Sequence, residues 1–303
     1  EILIGGRPLP QQSPWTLDLS LSLAMNKDVI AKLPNEARQI INSDAKIINR
    51  LGSNALANYL LVNKGVYATD EDVPVNPATG ERMKAANNKN NGYVYMQAGD
   101  PIWVDVNGDY IIDDKDKVVV GNSQPRLTGG FNANLRYKSF SINTNFSFTI
   151  KRDIINKALA DRFAAYGNPL SKDLNGSGAI TPIEAFDFWK EDHIYAKYPN
   201  PFDYIRGGTA DHQVNFFRPD QTLFMEDGSF LKINGVSISY VLPKKVLDFL
   251  RVERVQLNAS VNNIYTFSKY SGVNPENVNS LGYDVSGGYP NSRNYTMGVS
   301  IDF

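Results

Sequence analysis

The stretch LTGGFNANLRYKSFSINTNFSFTI, Leu127 to Ile150, alternates apolar and polar residues in two successive runs. Side chains along a strand point to opposite faces in turn, so Phe131, Ala133, Leu135 and Tyr137 share one face of a first strand. Phe140, Ile142, Thr144, Phe146 and Phe148 share one face of a second. A two-residue turn at Lys138-Ser139 closes the pair into a hairpin. That turn sets Tyr137 against Phe140, Leu135 against Ile142 and Phe131 against Phe146 on the apolar face. The other face pairs Asn134 with Asn143, Asn132 with Asn145 and Arg136 with Ser141. A slip of one residue would mix both faces, so the register is well specified.

The same period recurs on either side of this hairpin. Trp15, Leu17, Leu19, Leu21 and Leu23 alternate with Thr16, Asp18, Ser20 and Ser22 upstream. Downstream, Val255, Leu257, Ala259 and Val261 interleave with Gln256, Asn258, Ser260 and Asn262. The C-terminal run Tyr295, Met297, Val299, Ile301 and Phe303 does the same. From Phe230 to Tyr240 the apolar phase moves from Leu231 and Ile233 to Val236, Ile238 and Tyr240, which predicts a β-bulge at Asn234-Gly235. The fold class is all-β. The polar partners are mainly Asn, Ser and Thr, whereas the open faces of soluble sheets often carry Lys, Glu and Thr. An uncharged, amide-rich face suits a wet lumen, with a soluble β-sandwich as the competing architecture.

Connection lengths separate the two. Lys138-Ser139 and Pro243 to Arg251 are short, whereas Lys151 to Ser229 and Thr266 to Arg293 are long, and the two kinds alternate. A transmembrane barrel sorts its connections in this way, with short periplasmic turns and long extracellular loops. The long connections are rich in Gly, Pro, Asn and aromatics, and a short helix is expected around Asp153 to Tyr166.

Bulk composition narrows function. With 42% hydrophobic residues and a net charge of -1, no basic excess exists to neutralise phosphates, which argues against nucleic acid as a partner. The absence of cysteine removes disulfides, thiolate nucleophiles and sulfur-ligated zinc together. No apolar run reaches the roughly 18 residues of a membrane-spanning helix, a criterion that leaves barrel strands untouched. The chain opens on Glu1 without a recognisable signal peptide, so a removed start or a longer parent chain is expected.

The last residues, YTMGVSIDF, end on an aromatic after an apolar Ile301, Gly298 and polar Thr296, a pattern similar to the β-signal of outer-membrane barrels. With that ending, the blocks FLKINGVSISYVLPKKVLDFL, VERVQLNASVNNIYTFSKYSGVNPE and GGYPNSRNYTMGVSIDF resemble the SusC-like subclass of TonB-dependent outer-membrane transporters. GDPIWVDVNGDYIIDDKDKVVVGNSQPRLTGGFNANLRYKSFSINTNFSF matches as well, and SPWTLDLSLSLAMNKDVIAKLP more weakly. The resemblance implies a large antiparallel transmembrane barrel of 22 strands with long extracellular loops, a plug, a TonB-contacting segment and a SusD-like surface lipoprotein. It implies nutrient import across the cell outer membrane, of oligosaccharides or oligopeptides, and no enzymatic activity. Residues 1–303 would be the C-terminal portion of such a barrel, roughly a third of its wall, without plug or TonB-contacting segment. A partial barrel with open edges cannot stand in lipid, so a longer polypeptide or a split chain is expected. Two other functions stay open: a docking subunit of a larger envelope complex, and a soluble calcium-stabilised β module that binds glycans.

Within DVNGDYIIDDKD, Asp105, Asn107 and Asp109 occupy positions one, three and five of a calcium-type loop. Ile111 could offer its carbonyl at seven, Asp113 lies at nine and Asp116 at twelve. Position six is Tyr110 rather than glycine, and position twelve is Asp rather than the longer Glu. Structural calcium or magnesium and a network of Asp/Asn turns are the two readings, and neither makes a cofactor a requirement for function. Counted back from a periplasmic C-terminus, this loop lies on the extracellular side. His193 and His212, near Asp187, Glu191, Asp192 and Asp211, lack a recognisable metal or catalytic spacing. The aromatics Trp189, Tyr195, Tyr198, Phe202 and Tyr204 are candidates to stack on a sugar or to meet a partner, alongside Phe186, Phe188, Phe216 and Phe217. A loop core packed on itself is the alternative for them.

Overall fold

A computed structural model of the chain describes residues 1–41, 47–55, 57–87, 92–166, 183–201, 214–284 and 291–303. Seven antiparallel strands form one sheet: β1 (Ile2–Gly6), β2 (Trp15–Met25), β3 (Leu127–Tyr137), β4 (Phe140–Ile150), β5 (Phe230–Val241), β6 (Arg254–Ser268) and β7 (Asn294–Asp302). They lie side by side in chain order, an uninterrupted meander. The β3–β4 hairpin adopts the register its two patterned faces demand, with Tyr137 opposite Phe140, Leu135 opposite Ile142 and Asn134 opposite Asn143. β2 extends both faces on the other side, placing Leu17 against Leu135 and Ser20 against Asn132.

The bulge expected at Asn234-Gly235 is present. Pairing with β4 skips Asn234, passing from Ile233 opposite Phe146 to Gly235 opposite Asn145. One extra residue restores the phase, so Leu231 and Ile233 on one side of the bulge and Val236, Ile238 and Tyr240 on the other reach the same face. Gly235 suits the close approach there: a Cβ would lie 2.8 Å from Asn262 Oδ1 and 3.2 Å from the Val261 carbonyl, so both neighbours would have to shift. β1 was not foreseen, and β6 runs beyond Asn262 to Ser268, carrying Tyr265 and Phe267 onto the apolar face with their rings edge to face at 4.6 Å.

The apolar face is bare: Met297 is 87% exposed, Val299 63% and Leu257 41%. A soluble sandwich would pack that face inward, whereas a barrel wall turns it to lipid. The opposite face is held by polar contacts between strands, Ser141 Oγ to Ser239 Oγ at 2.6 Å and Ser147 Oγ donating to Asn234 Oδ1 at 3.1 Å. At the end bearing the short connections, Trp15, Tyr137, Phe140 and Tyr240 stand in one row across four strands, each the register partner of the next. Trp15 stacks on Tyr137 with ring centroids 4.3 Å apart. Transmembrane barrels carry such rows as aromatic girdles at their membrane interfaces. Ten residue steps separate Tyr137 from Leu127; at about 3.3 Å each and a tilt of about 40° they cover about 25 Å, the height of an outer-membrane apolar band.

Short connections (7–14, 138–139 and 242–253) and long ones (26–126, 151–229 and 269–293) fall at opposite ends of the sheet. The last short one holds a helix, α2 (Lys244–Leu250), closed by Arg251 in the left-handed conformation. The helix expected over Asp153 to Tyr166 starts later, as α1 (Lys157–Tyr166), because residues 153–155 pair as a strand with Met225–Asp227. Asn156 then caps it, its Oδ1 accepting the Leu159 N–H at 3.0 Å. No helix among the described residues is long and apolar enough to cross a membrane.

Candidate functional site

The long connections fold together into a cap with its own cores. Leu60 from the first connection, Phe163, Phe188 and Phe224 from the second and Tyr283 from the third pack into one apolar cluster. Phe163 is its centre, with the rings of Phe186, Phe188 and Tyr198 edge-on at 4.7 to 4.8 Å. A second cluster gathers Leu61, Trp103 and Ile112 with Phe216.

Buried polar groups fasten the connections to one another. The Trp103 indole N–H donates to Gln221 Oε1 at 2.8 Å, and the Gln221 amide donates to the carbonyls of Phe216 and Arg218. Lys117 Nζ lies 2.7 Å from Asp220 and 2.8 Å from Asp114. Arg218 grips both oxygens of Asp220 in a fork, at 2.7 and 2.6 Å. Burial alone would push the Asp220 carboxyl up, but the hydrogen bonds and charges of Arg218 and Lys117 outweigh it and hold the group far below the usual range. The third connection is tied in by Tyr270, whose hydroxyl donates to Asp284 at 2.5 Å, and by Ser271, whose N–H and hydroxyl both donate to Glu226. Burial, then Asp284, drives the Tyr270 phenol well above its ordinary value.

The Asp105–Asp116 loop is closed by Asp/Asn turns. Asp105 accepts the Gly108 and Tyr110 N–H groups at 2.7 and 2.8 Å, Asn107 that of Asp109, and Asp109 that of Ile111. Asp113 accepts the Lys115 N–H, and Asp116 those of Val106 and Asp113. Tyr110, where a calcium loop has glycine, is left-handed at φ 62°. Ile111 sits in a two-residue strand beside Lys84. These oxygens accept backbone N–H groups of the loop itself. Among the described residues no three His, Cys, Asp or Glu side chains are grouped as a metal shell requires.

The aromatic candidates divide. Trp189 and Tyr198 are buried, which corrects the expectation that they offer open stacking surface. Trp189 lies across Gly99, where an added Cβ would come within 2.8 Å of its ring, and its indole N–H donates to the Ala68 carbonyl. Tyr195 is 82% exposed. Phe202, Tyr204, Asp211 and His212 lie outside the described residues. His193 bonds Asp187 Oδ1 at 2.6 Å, and this contact, with the Lys197 N–H, lowers the Asp187 carboxyl.

The polar face of the sheet, whose amide-rich pattern suits a wet lumen, carries a cavity of about 360 Å³. Asn143, Ser237, Asn258, Ser260 and Thr296 line it. Hydroxyls and amides there both donate and accept, so the surface can satisfy passing hydroxyl or peptide groups without a fixed charge.

No protein-family model matches the chain. TonB-dependent receptor P39 of Formosa agariphila is 23% identical over 328 residues, covering 100% of this chain and 30% of the receptor. TonB-dependent receptor P3 of the same organism is 26% identical over 216 residues, 68% of this chain and 19% of the receptor. TonB-dependent receptor SusC of Bacteroides thetaiotaomicron is 26% identical over 225 residues, 71% of this chain and 19% of the receptor. The solved RagAB peptide transporter superposes with a TM-score of 0.69 at 19% identity, over 99% of this chain and 28% of that one. The RagAB peptide importer in its closed-closed state gives 0.63 at 19%. The chain spans 19% to 30% of the length of these curated relatives.

Proposed function

We propose, from the chain's likeness to a segment of SusC-like TonB-dependent transporters, that it forms part of the barrel wall and the extracellular cap of a transporter importing nutrients across the cell outer membrane. The observation that carries this reading is the seven-stranded meander, apolar and bare on one side, polar on the other, with short and long connections sorted to opposite ends. The remaining strands, the plug and the TonB-contacting segment would come from the rest of the polypeptide, with these residues as its C-terminal portion. The wall provides the conduit and the cap the outer recognition surface, while the plug is the moving part.

The cargo class is oligosaccharide or oligopeptide. The polar face supports it through uncharged Ser, Asn and Thr groups, which suit amides and hydroxyls alike. The likeness to a peptide transporter supports the peptide arm. A SusD-like surface lipoprotein is the partner proposed for the cap, with Tyr195 as an exposed aromatic able to meet it or the cargo.

Deleting the full-length locus and measuring growth on single oligopeptide or oligosaccharide sources tests this function. Loss of growth on one such source, restored by the intact gene, is the expected result. Undiminished growth on every source would favour a docking role in a larger envelope assembly.

A further inference from the structure

A cavity of about 980 Å³ opens where β2, β3 and β4 end and the cap begins. Its floor is apolar. Met25, Leu127 and Ile150 line it, and Leu127 is the register partner of both others at the last outward position of the three strands. The cavity therefore continues the bare apolar face of the sheet. Its upper lining is cationic, with Lys27, Arg126 and Lys151, all exposed. None of the three is ion-paired among the described residues. Behind them Arg152 is half-buried, donating to the Ser123 and Pro275 carbonyls at 3.2 and 3.4 Å.

Three carboxylates also line the cavity, and each is turned to backbone. Asp28 accepts the Ala55 N–H at 2.6 Å, Asp153 that of Asn122 at 2.7 Å and Asp227 that of Ser229 at 2.9 Å. The open cations are left facing a floor that has no use for charge. Cations above and aliphatic side chains below are the complement of an amphiphile with an anionic head.

We propose that this cavity binds the phosphate-bearing headgroup of a membrane lipid, the phosphate held among Lys27, Arg126 and Lys151 and the acyl chains lying down the face at Met25, Leu127 and Ile150. This rests on the reading above that the apolar face meets lipid. The site lies about 25 Å along the membrane normal from the aromatic row of Trp15, Tyr137, Phe140 and Tyr240, the depth of the opposite headgroup layer. Lysine heads act as point charges that suit a freely oriented phosphate, and the interfacial site places them where they remain hydrated until it arrives.

The full-length receptor, purified in dodecyl maltoside, is titrated with dihexanoylphosphatidic acid, inorganic phosphate and dihexanoylphosphatidylcholine. Saturable binding of the phosphatidic acid at least tenfold tighter than either other probe is expected. The Lys27→Gln/Arg126→Gln/Lys151→Gln variant should lose at least tenfold, and Lys244→Gln/Lys245→Gln, at the far end of the sheet, should lose nothing. If the triple variant does not assemble, Lys27→Gln and Lys151→Gln singly should each weaken binding about threefold. Unchanged binding by these variants would overturn the site, and inorganic phosphate binding as tightly would show that the ligand is no lipid. Heat-modifiable migration of the wild type is read in parallel. Its absence would overturn the transporter reading, whereas its presence without lipid binding would overturn this site alone.

Discussion

Lys117 Nζ sits 2.7 Å from Asp220 with both side chains buried, joining the short strand Lys117–Val119 that follows the acidic Asp105–Asp116 segment to a loop of the second connection. Arg218 completes the group from the second connection. Asp220→Ala would leave buried Lys117 and half-buried Arg218 with Asp114 alone as their anion, a loss below the about 3–5 kcal/mol of a buried charge left wholly unpaired. The cap should loosen while the sheet stays folded. Hydrogen exchange of the full-length protein checks this: faster exchange is expected at Lys117 to Val119, with unchanged protection at Phe140 to Ile150.

The same carboxylate sets an acid limit. Its folded pKa is depressed, so its contribution is fully present above the unfolded value of about 3.9 and is lost as pH falls through the folded value. Cap protection should therefore be flat in this respect from pH 7 to 5 and decline below about pH 4. Asp220→Asn should be looser at neutral pH and show less of that decline. Exchange measured as a function of pH separates the two.

Gln221 is wholly buried and answers the Trp103 indole N–H. Gln221→Leu keeps the volume but leaves that donor and the Phe216 carbonyl unpaired, at about 1–3 kcal/mol. A lower cap melting temperature is expected, followed by tryptophan fluorescence.

Trp189 and Tyr195 should part company on substitution. Trp189→Ala removes a buried ring packed on Gly99 and should destabilise the cap by about 3–5 kcal/mol. Tyr195→Ala should leave stability unchanged and weaken capture of cargo or partner, read as uptake at limiting nutrient.

Much of the sheet was legible because both of its faces carry a pattern. The register of Leu135 with Ile142 follows from period two alone, and the jump from Ile233 to Val236 marks the bulge. β1 is too short, and too rich in glycine at Gly5 and Gly6, to show its phase. The cap was not legible, since Leu60, Phe163 and Tyr283 meet across separations that leave no periodic trace. A count of aromatics in the second connection could not tell buried Trp189 from exposed Tyr195. Lys117 and Asp220, far apart in the chain, gave no local signal. The acidic loop showed its ligand types, but only the hydrogen bonds show that they close turns.

Deleting Asn234 should be severe. The deletion slips β5 by one residue on one side of the bulge and turns either Leu231 and Ile233 or Val236, Ile238 and Tyr240 toward the polar face. Loss of the heat-modifiable form from outer-membrane fractions is expected, whereas Asn234→Ser should preserve it.

The central claim is that the apolar face meets lipid and the polar face meets water, and cysteine accessibility tests it most directly in a chain with no cysteine of its own. Single substitutions at Leu257, Asn258, Met297, Thr296, Val299 and Ser300 in the full-length receptor are challenged with a charged maleimide in isolated outer membranes. Labelling at Asn258, Thr296 and Ser300 with protection at Leu257, Met297 and Val299 is the result expected. Equal labelling on both faces, or protection of the polar positions with labelling of the apolar ones, would contradict it.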